Sequence, residues 1–299
     1  MLSKENVRIG IAPIGWTEDD MPEYGAENSF LQTISEIALS GYVGTEIGSK
    51  YPRNPEVLKR EFGRRGLSAI TAWISTYINE KPLWWNEREF VDHMNFLKAI
   101  GATMINTSDQ SFCIQHRANT YFANKPVLDE KQFEELARGL DHLGRIAADN
   151  GMKLIYHHHM TTTVQTTAEI DKLMALTDPR YVWLIFDTGH LTFSGEDPVD
   201  ILSRHFDRIA HVHLKNVRAD ALKRCHEKKL SFLMSVLEGA FTVPGDETGC
   251  VDFPAVFKIL AERDYKGWLV VEAEQDPGKY NPLEYACLAR KYVAEQIGF

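Results

Sequence analysis

Cysteine is scarce in this chain: four among 299 residues (Cys113, Cys225, Cys250 and Cys287), none at a paired spacing. A disulfide framework is therefore excluded, and reduced thiols in a cytoplasmic setting are expected. No run approaches 18 apolar residues, so no membrane-spanning helix is expected. The opening stretch, Met1 to Asn6, has none of the apolar character of a signal peptide. Positive charge is in deficit, with 33 Lys and Arg against 42 Asp and Glu, a net charge of -9. That balance argues against a nucleic-acid partner, whose binding is driven by basic surface, and leaves small polar molecules open. No Gly-x-Gly-x-x-Gly follows the first apolar strand, which removes the signature of a dinucleotide-binding sheet. Disorder is excluded as well, because 44% of the residues are hydrophobic and only 25% charged.

What is present is a regular alternation of helix and strand. Helical patterns stop at a glycine and an apolar strand follows at once, as a short loop from helix to strand requires. Gly41 precedes Tyr42–Ile47, Gly66 precedes Leu67–Trp73, Gly101 precedes Ala102–Asn106, Gly151 precedes Met152–Tyr156 and Gly267 precedes Trp268–Val271. Val7–Ala12, Tyr181–Phe186 and Ile209–Leu214 supply three more strands. Between them, Phe133, Leu136, Leu140, Leu143 and Ile146 recur at intervals of three and four, the mark of one buried helix face. Asp129 with Gln132 predicts a capping box at that helix's start. Eight such units predict an α/β fold, a (β/α)8 TIM barrel, forming a single domain over residues 1–299. Two connections, about 107–128 and 215–251, are too long for plain loops and are expected as lids at the barrel's C-terminal mouth. The aromatic run Leu83-Trp84-Trp85 is open to three readings: core, lid or subunit contact in a homo-oligomer.

Four apolar strands end on a carboxylate or an imidazole. Leu154–Tyr156 runs into His157-His158-His159, Ile185-Phe186 into Asp187-Thr188-Gly189-His190, Ile209–Val212 into His213, and Trp268–Val271 into Glu272. Side chains alternate along a strand, so His157 and His159 share one face, as do His211 and His213. In that register His157, Asp187, His213 and Glu272 meet at the barrel mouth. Such groups gathered in a low-dielectric place must be paired or bind a metal. Two imidazoles with two carboxylates suit Mn²⁺, Co²⁺, Zn²⁺ or Fe²⁺. Glu46, at the end of the second strand, is a further inward carboxylate, and Glu274 faces the same side as Glu272.

These exits resemble the xylose-isomerase-like (β/α)8 superfamily, which includes sugar epimerases, isomerases, endonucleases and dehydratases. The superfamily's metal ligands are Glu, Asp, His and Glu on strands five to eight, and Asp187, His213 and Glu272 match the last three. His157 stands where the first Glu is expected. Tyr156–Thr161, Phe186–His190, His211–Lys215, Val243–Asp246, Val271–Asp276 and Gly10–Trp16 together resemble the dehydratases of inositol catabolism. The resemblance implies loss of water from a small polyol ketone, 2-keto-myo-inositol, to give a trihydroxycyclohexane-dione. It also implies Mn²⁺ or Co²⁺ as the ion and brings glutathione as a further cofactor of the family. A ketose epimerase or isomerase is the alternative activity, weakened by His157 in place of a glutamate. Dehydration beside a ketone needs an electrophile for the enolate oxygen, a base for the α-proton and an acid for the departing hydroxyl. His190, His159, His157 and Glu272 are the candidate proton carriers, His190 first. Trp16, Glu46, His159 and Arg218 are the candidate substrate contacts, an Arg offering several fixed donors to vicinal oxygens.

Overall fold

In this computed structural model, residues 2–299 are described; Met1, the first residue of the expected domain, lies outside them. The strands are β1 (Val7–Ile11), β2 (Gly44–Thr45), β3 in two pieces (Ser68–Ala69 and Trp73–Thr76), β4 (Met104–Asp109), β5 (Lys153–His157), β6 (Val182–Asp187), β7 (Ile209–Leu214) and β8 (Gly267–Val271). All pair in parallel, and β1 lies against both β2 and β8, with Val7 beside Gly267 and Ile11 beside both Val271 and Thr45. The first piece of β3 pairs with β2 and the second with β4. Thr71 bridges the gap: its carbonyl accepts from Ile47 N–H (2.9 Å) and its hydroxyl donates to Met104 O (2.9 Å). The eight staves thus close in sequence order.

The helices are α1 (Phe30–Leu39), α2 (Pro55–Gly63), α3 (Leu83–Ala99), α4 (Glu130–Asp149), α5 (Thr167–Leu176), α6 (Thr188–Phe193), α7 (Pro198–His205), α8 (Ala219–Glu227), α9 (Phe232–Leu237), α10 (Phe253–Glu262) and α11 (Pro282–Ile297). The capping box predicted at Asp129 and Gln132 is formed at the start of α4. Its apolar stripe, Phe133, Leu136, Leu140 and Leu143, is buried against the outside of the barrel. Leu83-Trp84-Trp85 is the first turn of α3, with Trp84 exposed and Trp85 edge-on to Tyr77.

Inside the barrel a smaller apolar layer, including Ile70, Met104, Ile155, Ile185, Trp268 and Val270, fills the lower half. Gly44 is required there, because a Cβ would stand 2.5 Å from the Trp268 ring. At the N-terminal end the Arg8 guanidinium lies 4.1 Å from the Trp268 ring centre and the Lys153 ammonium 4.0 Å from that of Trp183.

The sequence reading of the strands needs two adjustments. Tyr42–Ile47 is regular strand only at Gly44–Thr45, with Val43 and Ile47 adding single bonds to Ile9 and Thr71. Leu67–Trp73 breaks in the middle, because one strand must follow β2 at its start and β4 at its end. The connection after β4 begins at Gln110 and not near 107 as expected, since β4 continues to Asp109. The connection after β7 holds two helices, α8 and α9, and its ends meet as a short antiparallel pair, Asn216–Val217 with Phe241–Thr242. All four cysteines are free, and among the described residues no helix is long and apolar enough to cross a membrane.

Candidate active site and metal centre

The C-terminal ends of the staves surround a cavity of about 330 Å³, walled among others by Trp73, Asn106, Gln110, Gln115, His157, His159, Glu272 and Glu274. Beneath it, Asp187 and His213 are fully buried. A register shift between Leu184 and Ile185 brings Asp187 level with His213 across β6 and β7. Asp187 Oδ2 lies 3.4 Å from His157 Nε2 and 3.4 Å from His213 Nδ1, and Glu272 Oε2 lies 3.1 Å from the same Nδ1. The four expected ligands therefore meet at one place.

The Asp-Thr-Gly-His stretch shows why each residue stands where it does. Asp187 caps α6, its Oδ1 accepting from Gly189 and His190 N–H at 2.8 Å each, which leaves Oδ2 for the site. Thr188 Oγ1 accepts from Lys215 N–H (3.0 Å) and donates to Lys215 O (2.6 Å), locking the exit of β7. Gly189 makes room for the Lys215 stem, since a Cβ there would stand 2.3 Å from Lys215 Cγ. His190 Nε2 accepts from the Lys215 ammonium at 3.0 Å.

Lys215 went unnoticed in the sequence, where a lysine just past a strand reads as a solvated charge. It is fully buried, its Nζ 2.7 Å from Glu272, 2.9 Å from Glu274 and 3.4 Å from Asp187. Burial disfavours its charge, but these carboxylates outweigh that and keep the ammonium protonated. Glu274, likewise missed as a site residue, is pushed up to about 7, by burial first and by Glu272 and Asp187, against the pull of Lys215.

His213 Nε2 donates to Glu46 Oε1 at 2.9 Å, and His211 Nε2 reaches the same oxygen at 2.8 Å. Glu46 thus spends one oxygen on two imidazoles, and it borders the cavity. The bond fixes the His213 ring with Nδ1 toward Asp187 and Glu272, the carboxylate–histidine arrangement of metal sites. His213 Nδ1 has no hydrogen bond of acceptable geometry despite those close oxygens. Burial opposes its charge, yet Glu272, Glu46 and Asp187 together hold it well above its ordinary value. A proton kept at a crowded carboxylate cluster is what an incoming divalent cation displaces. His157 is held neutral chiefly by burial, as a ligand must be. His157, Asp187, His213 and Glu272 therefore fit a first-row divalent ion.

His159 borders the cavity, and its Nδ1 lies 2.9 Å from Met160 O. That contact makes Nδ1 the donor and leaves the Nε2 lone pair free. Burial, joined by the charge of Lys215, lowers His159 to about 3, so it is neutral. His190 is placed differently from the expectation that it reaches substrate. It lies behind His159, ring centres 3.8 Å apart, packed against Phe232 and Phe241, and does not line the cavity.

Two expected substrate contacts are corrected. Trp16 is buried among the outer core, with Nε1 donating to Glu36 at 2.6 Å, because the turn after β1 carries it over α1 and away from the mouth. Arg218 braces the connection after β7: it donates to Gly239 O (2.9 Å), Phe241 O (2.7 Å), Thr242, Thr248 and Asp246, and lies over Tyr280. Its fork is fully used inside the protein.

Fold and site define a class first. The family model for the xylose isomerase-like TIM barrel matches residues 29–293, and the chain belongs to that family. Within it, the chain is 53% identical over 300 residues to the inosose dehydratase of Clostridium beijerinckii, covering 100% of both chains. It is 54% identical to that of Clostridium tetani over 99% of each chain, and 52% identical to that of Bacillus cereus over 100%. In fold the chain is similar to the IOLI protein solved with a zinc atom, with TM-score 0.72 and 16% identity over 97% of this chain and 98% of that one. It is likewise similar to the probable 3-DHS dehydratase AsbF of Bacillus anthracis, with TM-score 0.69 and 15% identity over 96% and 98%.

Proposed function

We propose that this chain is a hydro-lyase that removes water from 2-keto-myo-inositol (inosose) to give a trihydroxycyclohexane-dione, with a divalent ion held by His157, Asp187, His213 and Glu272. The observation that carries the activity is the identity above 50% along the whole chain to proteins named inosose dehydratase. Mn²⁺ or Co²⁺ is the proposed ion, on the family resemblance; the mixed nitrogen and oxygen donor set suits Zn²⁺ and Fe²⁺ equally. Such an ion supplies Lewis acidity toward a ketone oxygen, worth several kcal/mol of charge stabilisation.

The chain's own residues supply the rest. His159, neutral and with Nε2 unengaged, is placed at the cavity wall to take the proton α to the ketone. Glu274, at about 7, is placed to give a proton to the departing hydroxyl. Each positioned group is worth about 10²–10⁴-fold. Lys215 helps keep Asp187 ionised, and His190 supports His159 from behind while accepting from Lys215. Burial of the whole cluster strengthens each of these charge interactions.

Mixing the metal-loaded enzyme with 2-keto-myo-inositol tests the reading: the ultraviolet absorbance of the enolised dione is expected to grow, to stop on chelation and to return with Mn²⁺ or Co²⁺. Asp187→Ala is expected to remove both turnover and metal, read by elemental analysis. Turnover that persists in a chelated, metal-free preparation would refute the metal-dependent reaction.

A further inference from the structure

One wall of the cavity plays no part in the chemistry above. β4 stands across the barrel from β8, which carries Glu272 and Glu274, and it presents Asn106, followed in the next loop by Gln110 and Gln115. All three are buried, at 2%, 6% and 6% exposure, and all three border the cavity. Asn106 Oδ1, Gln110 Nε2 and Gln115 Oε1 have no hydrogen-bond partner among the described residues. Buried amide groups are rarely left so, because each unmade bond forfeits the hydration that the group gave up on burial.

Their backbones are fixed. Asn106 N–H donates to Thr71 Oγ1 (3.0 Å) and Gln110 N–H to Thr76 O (2.7 Å). The Gln115 side chain is tied at the mouth, Nε2 donating to Asp20 Oδ2 at 2.5 Å, while its oxygen has no partner among the described residues. Beside them, Trp73 commits its Nε1–H to Ser75 Oγ (2.9 Å) and sets its ring edge-on to His157 and His159. Its remaining surface is apolar.

We propose that Asn106, Gln110 and Gln115 form a neutral subsite that reads ring hydroxyls remote from the reacting carbons, with Trp73 taking the C–H face of the ring. Side-chain amides, which carry both an acceptor and a donor and no net charge, match hydroxyl groups, each of which donates once and accepts twice. An ion would be matched by opposite charge instead. The subsite makes the enzyme specific for fully hydroxylated six-membered rings, because a site built to hydrogen-bond a hydroxyl rejects the analogue that lacks it. This inference rests on the proposed dehydratase reading for its substrate class.

The test compares wild type with Asn106→Leu and Gln115→Met, on 2-keto-myo-inositol and on analogues each lacking one hydroxyl distant from the ketone. Thermal melting confirms that each variant is folded, and Gln115→Met, nearer the mouth, stands in if Asn106→Leu is not. Each variant is expected to raise KM for the full substrate about 10-fold or more with kcat changed less than about 3-fold. For one deoxy analogue the variant and wild-type KM values are expected to converge. Equal losses on every analogue, or KM values that do not move, would overturn the subsite. If wild type turns over no cyclitol ketone, the dehydratase reading fails by itself, and calorimetric binding of myo-inositol and its deoxy forms decides the subsite. Binding weakened by the variants for the full ring alone supports it; no cyclitol binding, or binding indifferent to the substitutions, overturns it.

Discussion

The two ends of the barrel handle cations in opposite ways. At the N-terminal end Arg8 and Lys153 rest on indole faces, and neither has a carboxylate within bonding distance among the described residues. Both residues are exposed, so each charged group rests one side on a ring and keeps the other in water. At the mouth Lys215 is cut off from water and answered by three carboxylates. The same closed set of staves thus ends in a plug on one side and in a reactive charge cluster on the other. The lesson is that chemistry in this fold comes from desolvation at the strand exits, since positive charge alone is present at both ends.

The largest expected break in that contrast is Lys215→Met. It leaves Asp187, Glu272 and Glu274 without their counter-charge, and removing one partner from such a buried set costs about 3–5 kcal/mol. Urea denaturation of the metal-free protein measures it, and turnover is expected to fall with it. Next comes Glu46→Gln, which keeps the shape and weakens the hold on His213. Metal affinity is expected to drop by about 10–100-fold, read by competition with a chromophoric chelator.

A pH dependence sharpens the same point at the tip of β4. Burial pushes the Asp109 carboxyl up to about 6, against hydrogen bonds from Ile78, Ser111 and Thr76. The folded chain then holds a proton that the unfolded chain has already released, so stability is greater below about pH 4 and is lost as pH rises through about 6. Asp109→Asn is expected to flatten the fall in unfolding free energy between those limits. The smallest effect belongs to the other end. Arg8→Ala is expected to cost no more than about 1 kcal/mol, the value of an exposed cation–π contact, and to leave kcat/KM untouched. A large loss of activity from Arg8→Ala would erase the distinction between the two ends.

The same two ends explain what could be read in advance. Strand exits are legible because apolar runs are visible in sequence and side chains alternate along them, which is how His157, Asp187, His213 and Glu272 could be named together. The glycines closing the helices marked most of the remaining staves. The break in β3 was invisible, since it arises from fitting one strand between two neighbours. Trp16 and Arg218 misled because nearness to a strand end in sequence says nothing about which way a loop turns next. Lys215 was missed for a related reason: its burial depends on Gly189, a residue in the first turn of α6, beyond a different stave.

That dependence ties two distant positions into one unit. A single methyl group at position 189 would evict the amine beside it, so neither site is free to drift without the other. A Gly189→Ala chain would keep every ligand and every acid it now has, yet its electrostatic balance would collapse through steric exclusion alone.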